Sequence, residues 1–320
     1  MKLAIIGAGF SGLTCARIAR QNGMDVTVFD KGRGAGGRLS TKRISADGTE
    51  YRFDHGTSAF EARSEAFADA LQPLIEAGFV AELHANDNGF PKRFVGTPGM
   101  NATIKGLAEG LDARFGQRVE RITRTPRGWA LSFEQNALPF DCDVVVCAIP
   151  AEQATILLSN AAPEFAATAG DVVSEPRWVT MLGFETPFPV DFTTLKPEQS
   201  SIAAIIRNQT KPGRDATKDC LVLHASTDWS KAHLEDDASD VLQAMKSALA
   251  ETLSIELPSP TVEHAHRWRY AVTSKPAGEP FMLTEDKTLG VCGDWLLGGG
   301  VEDAWASGKA LGDALSGTAD

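Results

Sequence analysis

The feature that most constrains the fold is a glycine-rich turn between two apolar strands near the N-terminus. An apolar run at 3–6 is followed by the pattern GxGxxG, a helical pattern over 13–23 and a second apolar run at 26–30. In such a unit the first glycine permits a tight turn, the second lets the backbone approach a pyrophosphate, and the third lets helix and strand pack closely. The sequence therefore predicts a dinucleotide-binding βαβ unit. Its predicted cofactor contacts are Gly7, Ala8, Gly9, Phe10, Ser11 and Gly12.

An acidic residue and a second glycine-rich loop follow this unit and favour FAD over a plain nicotinamide cofactor. Asp30 ends the second strand, where its carboxylate can accept hydrogen bonds from both hydroxyls of an adenosine ribose. The loop after it combines glycines, which allow close backbone approach, with arginines, which neutralise diphosphate charge. The predicted cofactor contacts in this loop are Lys31, Arg33, Gly36, Gly37, Arg38 and Leu39.

The C-terminal segment supplies further predicted contacts to the same cofactor. Gly293 and Asp294 follow an apolar strand, so Asp294 can reach a ribityl hydroxyl or a water on the pyrophosphate. A glycine run then opens the last helix. We expect backbone N–H groups at this helix start to point at flavin N1 and O2, where negative charge collects on reduction. Gly300, Val301 and Ala304 are the predicted contacts there.

The middle of the chain predicts a second domain inserted into the first. Several strand patterns follow one another there and are linked by long polar loops, which is typical of an antiparallel sheet. These strands are predicted at 178–185, 201–208, 220–227 and 262–271, with an amphipathic helix at 238–253.

We therefore predict an α/β protein, in which a Rossmann-like FAD-binding domain carries an inserted mixed α+β substrate domain with an antiparallel sheet. A run at 144–149 is apolar on both faces and predicts a buried parallel strand. Further predicted elements are helices at 66–78 and 101–115 and a β-hairpin at 118–133. The predicted FAD-binding domain comprises 1–60, 96–160 and 272–320, and the substrate domain comprises 61–95 and 161–271.

Charge and cysteine usage narrow the classes of partner. The formal net charge of -11 repels phosphate backbones and anionic lipid, so we expect a small-molecule substrate and neither nucleic acid nor membrane as partner. The five cysteines form no CxxC pair and no zinc-type spacing, which favours a reducing compartment and no metal site. A strand that begins at Lys2 leaves no room for a signal peptide, so we expect a cytoplasmic protein. The sequence leaves the oligomeric state open.

Four motifs together resemble those of the flavin-containing amine oxidase superfamily. They are GAGFSG, KGRGAGGR, FDHG at 53–56, and the C-terminal GDW followed by GGGVEDAWASG. Within that superfamily the pieces KGRGAGGRLSTKR, VGTPGMNAT, HRWRYA and GDWLLGGGVEDAW are similar to those of the bacterial renalases. The resemblance runs from end to end with gaps in the middle. It implies a two-domain fold of the p-hydroxybenzoate hydroxylase type, with a non-covalent FAD whose ring lies at the domain interface.

The resemblance also implies roles for individual residues. His55 and Gly56 would lie near the flavin ring, and Val119 would offer a backbone contact to adenine. Membrane amine oxidases attach their flavin through a cysteine, whereas residues 297–300 here are Leu-Gly-Gly-Gly. Those oxidases also flank the flavin with two tyrosines. This chain has only Tyr51 and Tyr270, which argues against a pair of that kind.

The strand at 262–271 supplies candidates for a substrate slot beside the flavin. Alternation with period two places His264, His266, Trp268 and Tyr270 on one face of that strand. The alternative is that Trp268 and Tyr270 pack in the core of the second sheet and that the histidines only satisfy hydrogen bonds there. The candidate catalytic residues are His55, His266, Trp268, Tyr270 and Trp295.

As to activity, the resemblance implies an FAD-dependent oxidase that takes a hydride from 2- or 6-dihydro isomers of NAD(P)H. The products would be NAD(P)+ and, with O2, H2O2. Hydride transfer needs a flat slot and fixed geometry, so we expect no indispensable acid–base pair. The main alternative is a flavin-dependent amine oxidase acting on small amines. A flavin-dependent desaturase or isomerase and a non-catalytic flavoprotein are further alternatives.

Overall fold

The computed structural model describes residues 1–83, 91–134 and 138–317. The predicted domain ranges also include 84–90, 135–137 and 318–320, which lie outside the described residues. None of the described helices is long and apolar enough to cross a lipid bilayer. The helices are α1 (Phe10–Gln21), α2 (Glu65–Glu76), α3 (Asn101–Ala108), α4 (Ala151–Leu158), α5 (Pro163–Gly170), α6 (Thr227–Ala232), α7 (Ala238–Leu253), α8 (Asp294–Leu297) and α9 (Val301–Ser316).

The strands belong to two large sheets and three small ones. In chain order they are β1 (Lys2–Ile6), β2 (Asp25–Asp30), β3 (Lys42–Ala46), β4 (Thr49–Phe53), β5 (Phe60–Ala62), β6 (Val80–Glu82), β7 (Lys92–Gly96), β8 (Asp112–Phe115), β9 (Val119–Thr125), β10 (Gly128–Phe133), β11 (Phe140–Cys142), β12 (Val144–Cys147), β13 (Val173–Phe184), β14 (Thr194–Leu195), β15 (Ile202–Arg207), β16 (Asp219–Ala225), β17 (Val262–Lys275), β18 (Met282–Leu283) and β19 (Leu289–Val291).

The first large sheet is the predicted dinucleotide-binding sheet. Its strand order is β18-β19-β12-β1-β2-β8, and every neighbouring pair is parallel except the β18–β19 edge. The apolar run predicted as a buried strand forms β12, and all four of its residues are buried. A parallel sheet is covered on both faces, which explains why this strand shows no apolar and polar alternation.

The second large sheet confirms the antiparallel sheet predicted for the middle of the chain. Its order is β14-β15-β16-β13-β17, with every neighbouring pair antiparallel. One face packs on α7 through Val241, Met245 and Leu249. The other face packs on the β3–β4 hairpin, which contributes the buried rings of Tyr51 and Phe53. This second face is therefore the one turned toward the N-terminal motifs.

The segment between β4 and α3 packs on the first sheet. The buried side chains of Phe67, Leu71 and Phe94 lie in the same apolar cluster as Leu13 of α1 and Leu311 of α9. The predicted domain boundaries stay a proposal. Residues 61–95 are predicted to belong to the substrate domain, whereas these three side chains pack with the first sheet.

Two predicted elements differ from the structure. The helix predicted at 101–115 ends at Ala108, and Asp112–Phe115 pair with β2 as the strand β8. The helix stops because Gly110 takes a left-handed backbone with φ of 75°. The strand predicted at 220–227 ends at Ala225, because Ser226 caps α6 by accepting a hydrogen bond from the N–H of Trp229.

Candidate functional site

The turn between β1 and α1 has the steric properties of a phosphate-binding turn. A Cβ on Gly7 would lie 2.3 Å from the carbonyl oxygen of Ala148, and a Cβ on Gly12 would lie 2.2 Å from the carbonyl oxygen of Gly7. Both positions therefore exclude any side chain. A Cβ on Gly9 would meet no described atom within 4 Å, so the space over the turn is open. Its neighbours Ala8, Phe10 and Ser11 are buried around that opening.

Asp30 lies at the end of β2 with its carboxylate fixed by backbone donors. The N–H of Ala8 donates to Oδ2 at 2.8 Å, and the N–H of Gly32 donates to Oδ1 at 2.6 Å. The segment before β9 also crosses here, because Gln117 donates its N–H to the Asp30 carbonyl. Val119, the predicted adenine contact, therefore starts β9 close to the predicted ribose acceptor.

The basic loop after β2 reaches the C-terminal motif. Arg38 lies in a short 3-10 turn and donates to the buried Asp294 at 2.5 Å. Lys31 donates to the Oε1 atom of Gln153 at 2.8 Å, and Arg33 is exposed. A Cβ on Gly37 would meet nothing within 4 Å, whereas Gly36 is buried. The loop thus brings Arg38 next to Asp294, and both residues are predicted to contact the same cofactor.

The backbone that leads into α9 is held by an acidic residue of the first helical turn. The N–H groups of Gly299 and Gly300 donate to Oδ2 of Asp303 at 3.1 and 2.8 Å. Asp303 thus fixes the glycine run before the helix, and the contact of the first-turn N–H groups with flavin N1 and O2 stays a prediction. Asp303 is itself held by the guanidinium of Arg63. Val301 and Ala304 stand in the first turn beyond this cap.

A dinucleotide fits the described cradle. Small residues let α9 approach α1 closely, since a Cβ on Gly308 would lie 2.2 Å from the carbonyl oxygen of Ser11. The open turn at Gly9, the acceptor Asp30 and the Arg38–Asp294 pair lie along the carboxyl edge of one parallel sheet. Ligands of open α/β sheets bind at that edge. The described residues hold no group of three His, Cys, Asp or Glu side chains placed for a metal ion.

Three rings from distant parts of the chain meet beside the second sheet, and we call His55, His266 and Trp268 the ring cluster. His55 stacks on Trp268 with ring centroids 5.3 Å apart, and His266 meets both rings edge-on at 5.0 and 4.6 Å. The indole N–H of Trp268 donates to the His55 carbonyl at 2.9 Å. The predicted alternation of β17 holds here, because Arg267 and Arg269 point the other way and pair with Glu235.

The histidines of the ring cluster are neutral at pH 7. Burial, with the nearby His266, lowers the pKa of His55 to about 4. Burial, with the charge of Lys42, lowers the pKa of His266 to about 4. Neither ring is in the charged imidazolium form at neutral pH.

The electrostatic surroundings of the ring cluster are positive. Arg177 of β13 lies directly opposite Trp268 in the sheet register, and its Nε atom is buried without a hydrogen-bond partner. Lys42 is close enough to lower the pKa values of His55, His264 and His266. Within the described part of the chain, neither Lys42 nor Arg177 forms an ion pair.

The remaining candidates lie outside the ring cluster. Trp295 is 2 % exposed in the apolar core of the first sheet and donates its indole N–H to the Ile149 carbonyl at 3.0 Å. Tyr270 is 38 % exposed beyond a register shift between β13 and β17. Tyr51 is fully buried under the second sheet, so Tyr51 and Tyr270 do not form a pair. Trp178 is core, with its indole N–H donating to the His233 carbonyl.

Sequence reasoning missed an ionic group directly before His55. Asp54 is fully buried, and its Oδ2 accepts from Lys211 at 3.1 Å and from Arg214 at 2.6 Å. Although burial raises it, the charges of Lys211 and Arg214 lower the pKa of Asp54 to about 2. Asp54 belongs to the FDHG motif, but its partners Lys211 and Arg214 lie in a distant polar loop. No pattern in the sequence of that loop indicates that its cations pair with Asp54.

A further histidine near the ring cluster, which is buried, was also missed. His224 of β16 and His266 of β17 both pair with Val179 of β13 and thus share a row on one face of the sheet. Burial, with the charge of Arg177, lowers the pKa of His224 to about 3. Its Nε2 atom has no hydrogen-bond partner among the described residues. The alternation of β16 is the signal that places it on this face.

Comparison with known proteins gives two family matches. A profile described as "NAD(P)-binding Rossmann-like domain" matches residues 5–74, and one described as "Flavin containing amine oxidoreductase" matches residues 51–313. The second match covers most of the chain and contains every residue of the ring cluster.

Solved structures of similar shape cover almost the whole chain. A candidate protoporphyrinogen oxidase from Exiguobacterium sp. 255-15 superposes with a TM-score of 0.76 at 14% identity, covering 98% of each chain. Cyclohexylamine oxidase from Brevibacterium oxydans IH-35A gives a TM-score of 0.75 at 13% identity, covering 99% of this chain and 98% of that one. An oxidoreductase from Methanosarcina mazei gives 0.70 at 14% identity, covering 97% and 99%. At such identities the likeness is one of fold.

Proposed function

The chain belongs to the family of flavin-containing amine oxidoreductases, and from that premise we propose that it oxidises 2- or 6-dihydro isomers of NAD(P)H, as the bacterial renalases it resembles do. Its cofactor is FAD. The products are NAD(P)+ and H2O2, with O2 as the oxidant. The predicted cofactor contacts, from the turn at Gly7 to the start of α9, are part of this proposal.

The positive charge around the ring cluster is the main observation that supports the proposal. Arg177 and Lys42 lie beside these rings without a carboxylate partner among the described residues, and the nearby Asp54 is already neutralised by two cations. Such a site attracts the anionic phosphates of a dinucleotide and repels a protonated amine. The electrostatics thus favour a dihydronicotinamide dinucleotide over an ammonium substrate.

The uncharged rings support the same reaction type. Two-electron redox chemistry comes from FAD, and the reaction balances as dihydro-NAD(P) plus O2 and one proton giving NAD(P)+ and H2O2. A dihydronicotinamide releases a hydride without losing an acidic proton, so no protein base is needed at that step. Trp268, which stacks on the buried His55, offers a flat surface for a nicotinamide ring, and Arg177 lies opposite it in the sheet register, where it can bind a polar group of the substrate. The contribution of the protein is to hold the substrate in a fixed orientation beside the flavin.

Anaerobic mixing tests the proposal. The purified protein is mixed without O2 with the 2-dihydro isomer, the 6-dihydro isomer and, as a control, ordinary 4-dihydro NADPH, while the visible flavin absorbance is followed. We expect rapid bleaching with a 2- or 6-dihydro isomer and slow or no bleaching with the control. Absence of rapid bleaching with both isomers would refute the assignment.

Oxidation of a small amine is the second candidate function, because the matching family is described by amine oxidation and cyclohexylamine oxidase shares the fold. Its test is H2O2 release from a panel of primary and secondary amines at neutral and alkaline pH. Steady peroxide formation with an amine, together with no reaction of the dihydronicotinamide isomers, would favour this function over the first.

Non-covalent attachment of the cofactor is a separate part of the proposal. All five cysteines are buried, and none stands in the glycine run before α9. Acid precipitation of the purified yellow protein should therefore leave the flavin in the supernatant. Yellow colour that stays with the precipitated polypeptide would show a covalent link.

A further inference from the structure

A cavity of about 360 Å³ lies on the outer face of the β3–β4 hairpin. It is bordered by residues 77–79, which follow α2, and by the connection from β7 to α3. Its lining residues are Thr41, Arg43, Arg52, Ala77, Gly78, Phe79, Thr97, Pro98, Gly99, Asn101, Ala102 and Lys105. Three of the lining side chains are cationic, namely those of Arg43, Arg52 and Lys105, and the lining contains no carboxylate.

The two arginines are held against each other by the hairpin. Arg43 and Arg52 are directly opposite in the antiparallel register of β3 and β4. Like charges in this position are unfavourable for a strand pair, although the effect is small here because both arginines are exposed. Glu50 accepts from Nε of Arg52 at 2.7 Å, but both side chains are largely exposed, and such surface pairs contribute little. Lys105 of α3 adds a third positive charge from across the cavity.

The cavity is separate from the ring cluster. Along β4, Tyr51 and Phe53 point into the apolar core under the second sheet, so Arg52 between them points to the opposite face. The hairpin therefore stands between this cavity and the rings of His55, His266 and Trp268. One link joins them, since Thr41 lines the cavity and donates to Asp54 at 2.7 Å.

We propose that this cavity binds the phosphate group of a small phosphorylated molecule. Arginine presents a planar fork of donors that matches phosphate oxygens, and here two exposed arginines and one exposed lysine line the same cavity. The volume lies at the lower end of the range for small-molecule sites, which suits a mononucleotide or a sugar phosphate rather than a whole dinucleotide. In a chain with a net charge of -11, a cation-lined cavity is where an anion collects.

Inorganic phosphate is the first probe, used with the FAD-loaded protein. Phosphate should raise the melting temperature more than chloride at equal ionic strength. Arg43→Gln and Lys105→Gln should each weaken phosphate binding by roughly tenfold or more, measured by calorimetric titration. Arg127→Gln, an exposed arginine in the β9–β10 turn, is the matched control and should bind phosphate as the parent protein does.

The stability of the variant without phosphate separates binding from misfolding. Arg43→Gln should melt at the same temperature as the parent protein or higher in chloride, because it removes a repulsion between like charges. The proposal is overturned if phosphate does not stabilise the parent protein beyond chloride. It is equally overturned if Arg43→Gln and Lys105→Gln bind phosphate as tightly as the parent protein does.

Two nucleotides identify the source of the phosphate group. NAD+ and NADP+ are titrated against the parent protein and Arg43→Gln. A loss of affinity for NADP+ but not for NAD+ assigns the cavity to the 2′-phosphate of a dinucleotide. Unchanged affinity for both, with phosphate binding lost, assigns it to a free phosphorylated ligand. Neither outcome depends on whether the dihydro isomers are substrates, so this test stands apart from that of the proposed function.

Discussion

At the scale of single residues, the ring cluster consists of rings that carry no charge, surrounded by side chains that do. His55, His266 and Trp268 touch one another, while Lys42 and Arg177 supply the positive field. Histidines with pKa values this low are uncharged at neutral pH, so no imidazolium is present there to act as an acid. Binding and orientation are therefore the properties that substitutions should change.

Arg177 gives the first prediction at this scale. Replacing Arg177 by Gln removes the half-buried cation opposite Trp268 and should raise KM for a dihydronicotinamide dinucleotide by roughly tenfold or more, because a charge-assisted contact is lost. The kcat value should stay nearly constant, since the ring positions are kept. Steady-state kinetics measure both constants, and Arg127→Gln serves as the control. A fall in kcat at unchanged KM would contradict the role in binding.

The pH dependence of stability gives the second prediction. Burial lowers the pKa values of His55 and His266 from 6.5 to about 4 and that of His224 from 6.5 to about 3. Between these limits the unfolded chain binds protons that the folded chain does not, so the free energy of unfolding should fall as the pH is lowered through this window. Urea unfolding at a series of pH values measures it. His224→Gln should make the dependence shallower, and an unchanged slope would count against burial as the cause.

At the scale of elements, the cradle depends on how closely α9 lies on α1. The approach is set by small residues, because Gly308 faces the carbonyl oxygen of Ser11 and Gly312 faces the side chain of Ile18. The N-terminal turn and the C-terminal helix thereby act as one unit. Any side chain at the crossing would push the two helices apart.

Gly308→Ala tests this crossing. A Cβ there would lie 2.2 Å from a backbone oxygen that cannot swing away, so the helices must separate. We expect a loss of about 1–3 kcal/mol in the free energy of unfolding, as for an overpacked core, and weaker retention of FAD. Gly170→Ala is the control, because its Cβ would lie 3.7 Å from Thr155, an ordinary contact, and it should be neutral or slightly stabilising. Equal behaviour of the two variants would mean that the crossing is not tight.

Local sequence patterns predicted most elements but not the contacts between distant ones. The βαβ unit, the buried β12 and the helix α7 follow from periodicity and glycine placement, and α7 begins and ends where its pattern does. The strand β8 was missed because its partner β2 lies far back in the chain. The Asp54 group was missed for the same reason, since Lys211 and Arg214 carry no pattern that points to their partner.

At the scale of the whole molecule, one buried ionic group fastens the second sheet to the N-terminal motifs. Lys211 and Arg214 come from the loop after β15, whereas Asp54 stands beside the ring cluster. Each of the three side chains is at most 5 % exposed. Breaking such a group leaves charge in the interior without a partner, which is costly.

Asp54→Asn should therefore destabilise the protein by about 3–5 kcal/mol, because two buried cations lose their shared carboxylate. Lys211→Met should cost clearly less, because Asp54 keeps Arg214 and a buried ammonium is removed. Chemical unfolding of both variants measures the difference. The opposite order would mean that Lys211 rather than Asp54 organises the group.

The ion pair between Arg38 and Asp294 joins positions 256 residues apart. A still larger distance in the chain separates α1 (Phe10–Gln21) from α9 (Val301–Ser316), the helix that packs on it. A ribosome must therefore finish nearly the whole polypeptide before both sides of the cradle exist. We therefore expect FAD to bind after synthesis of the chain and not during it. A chain truncated before α9 should not retain FAD.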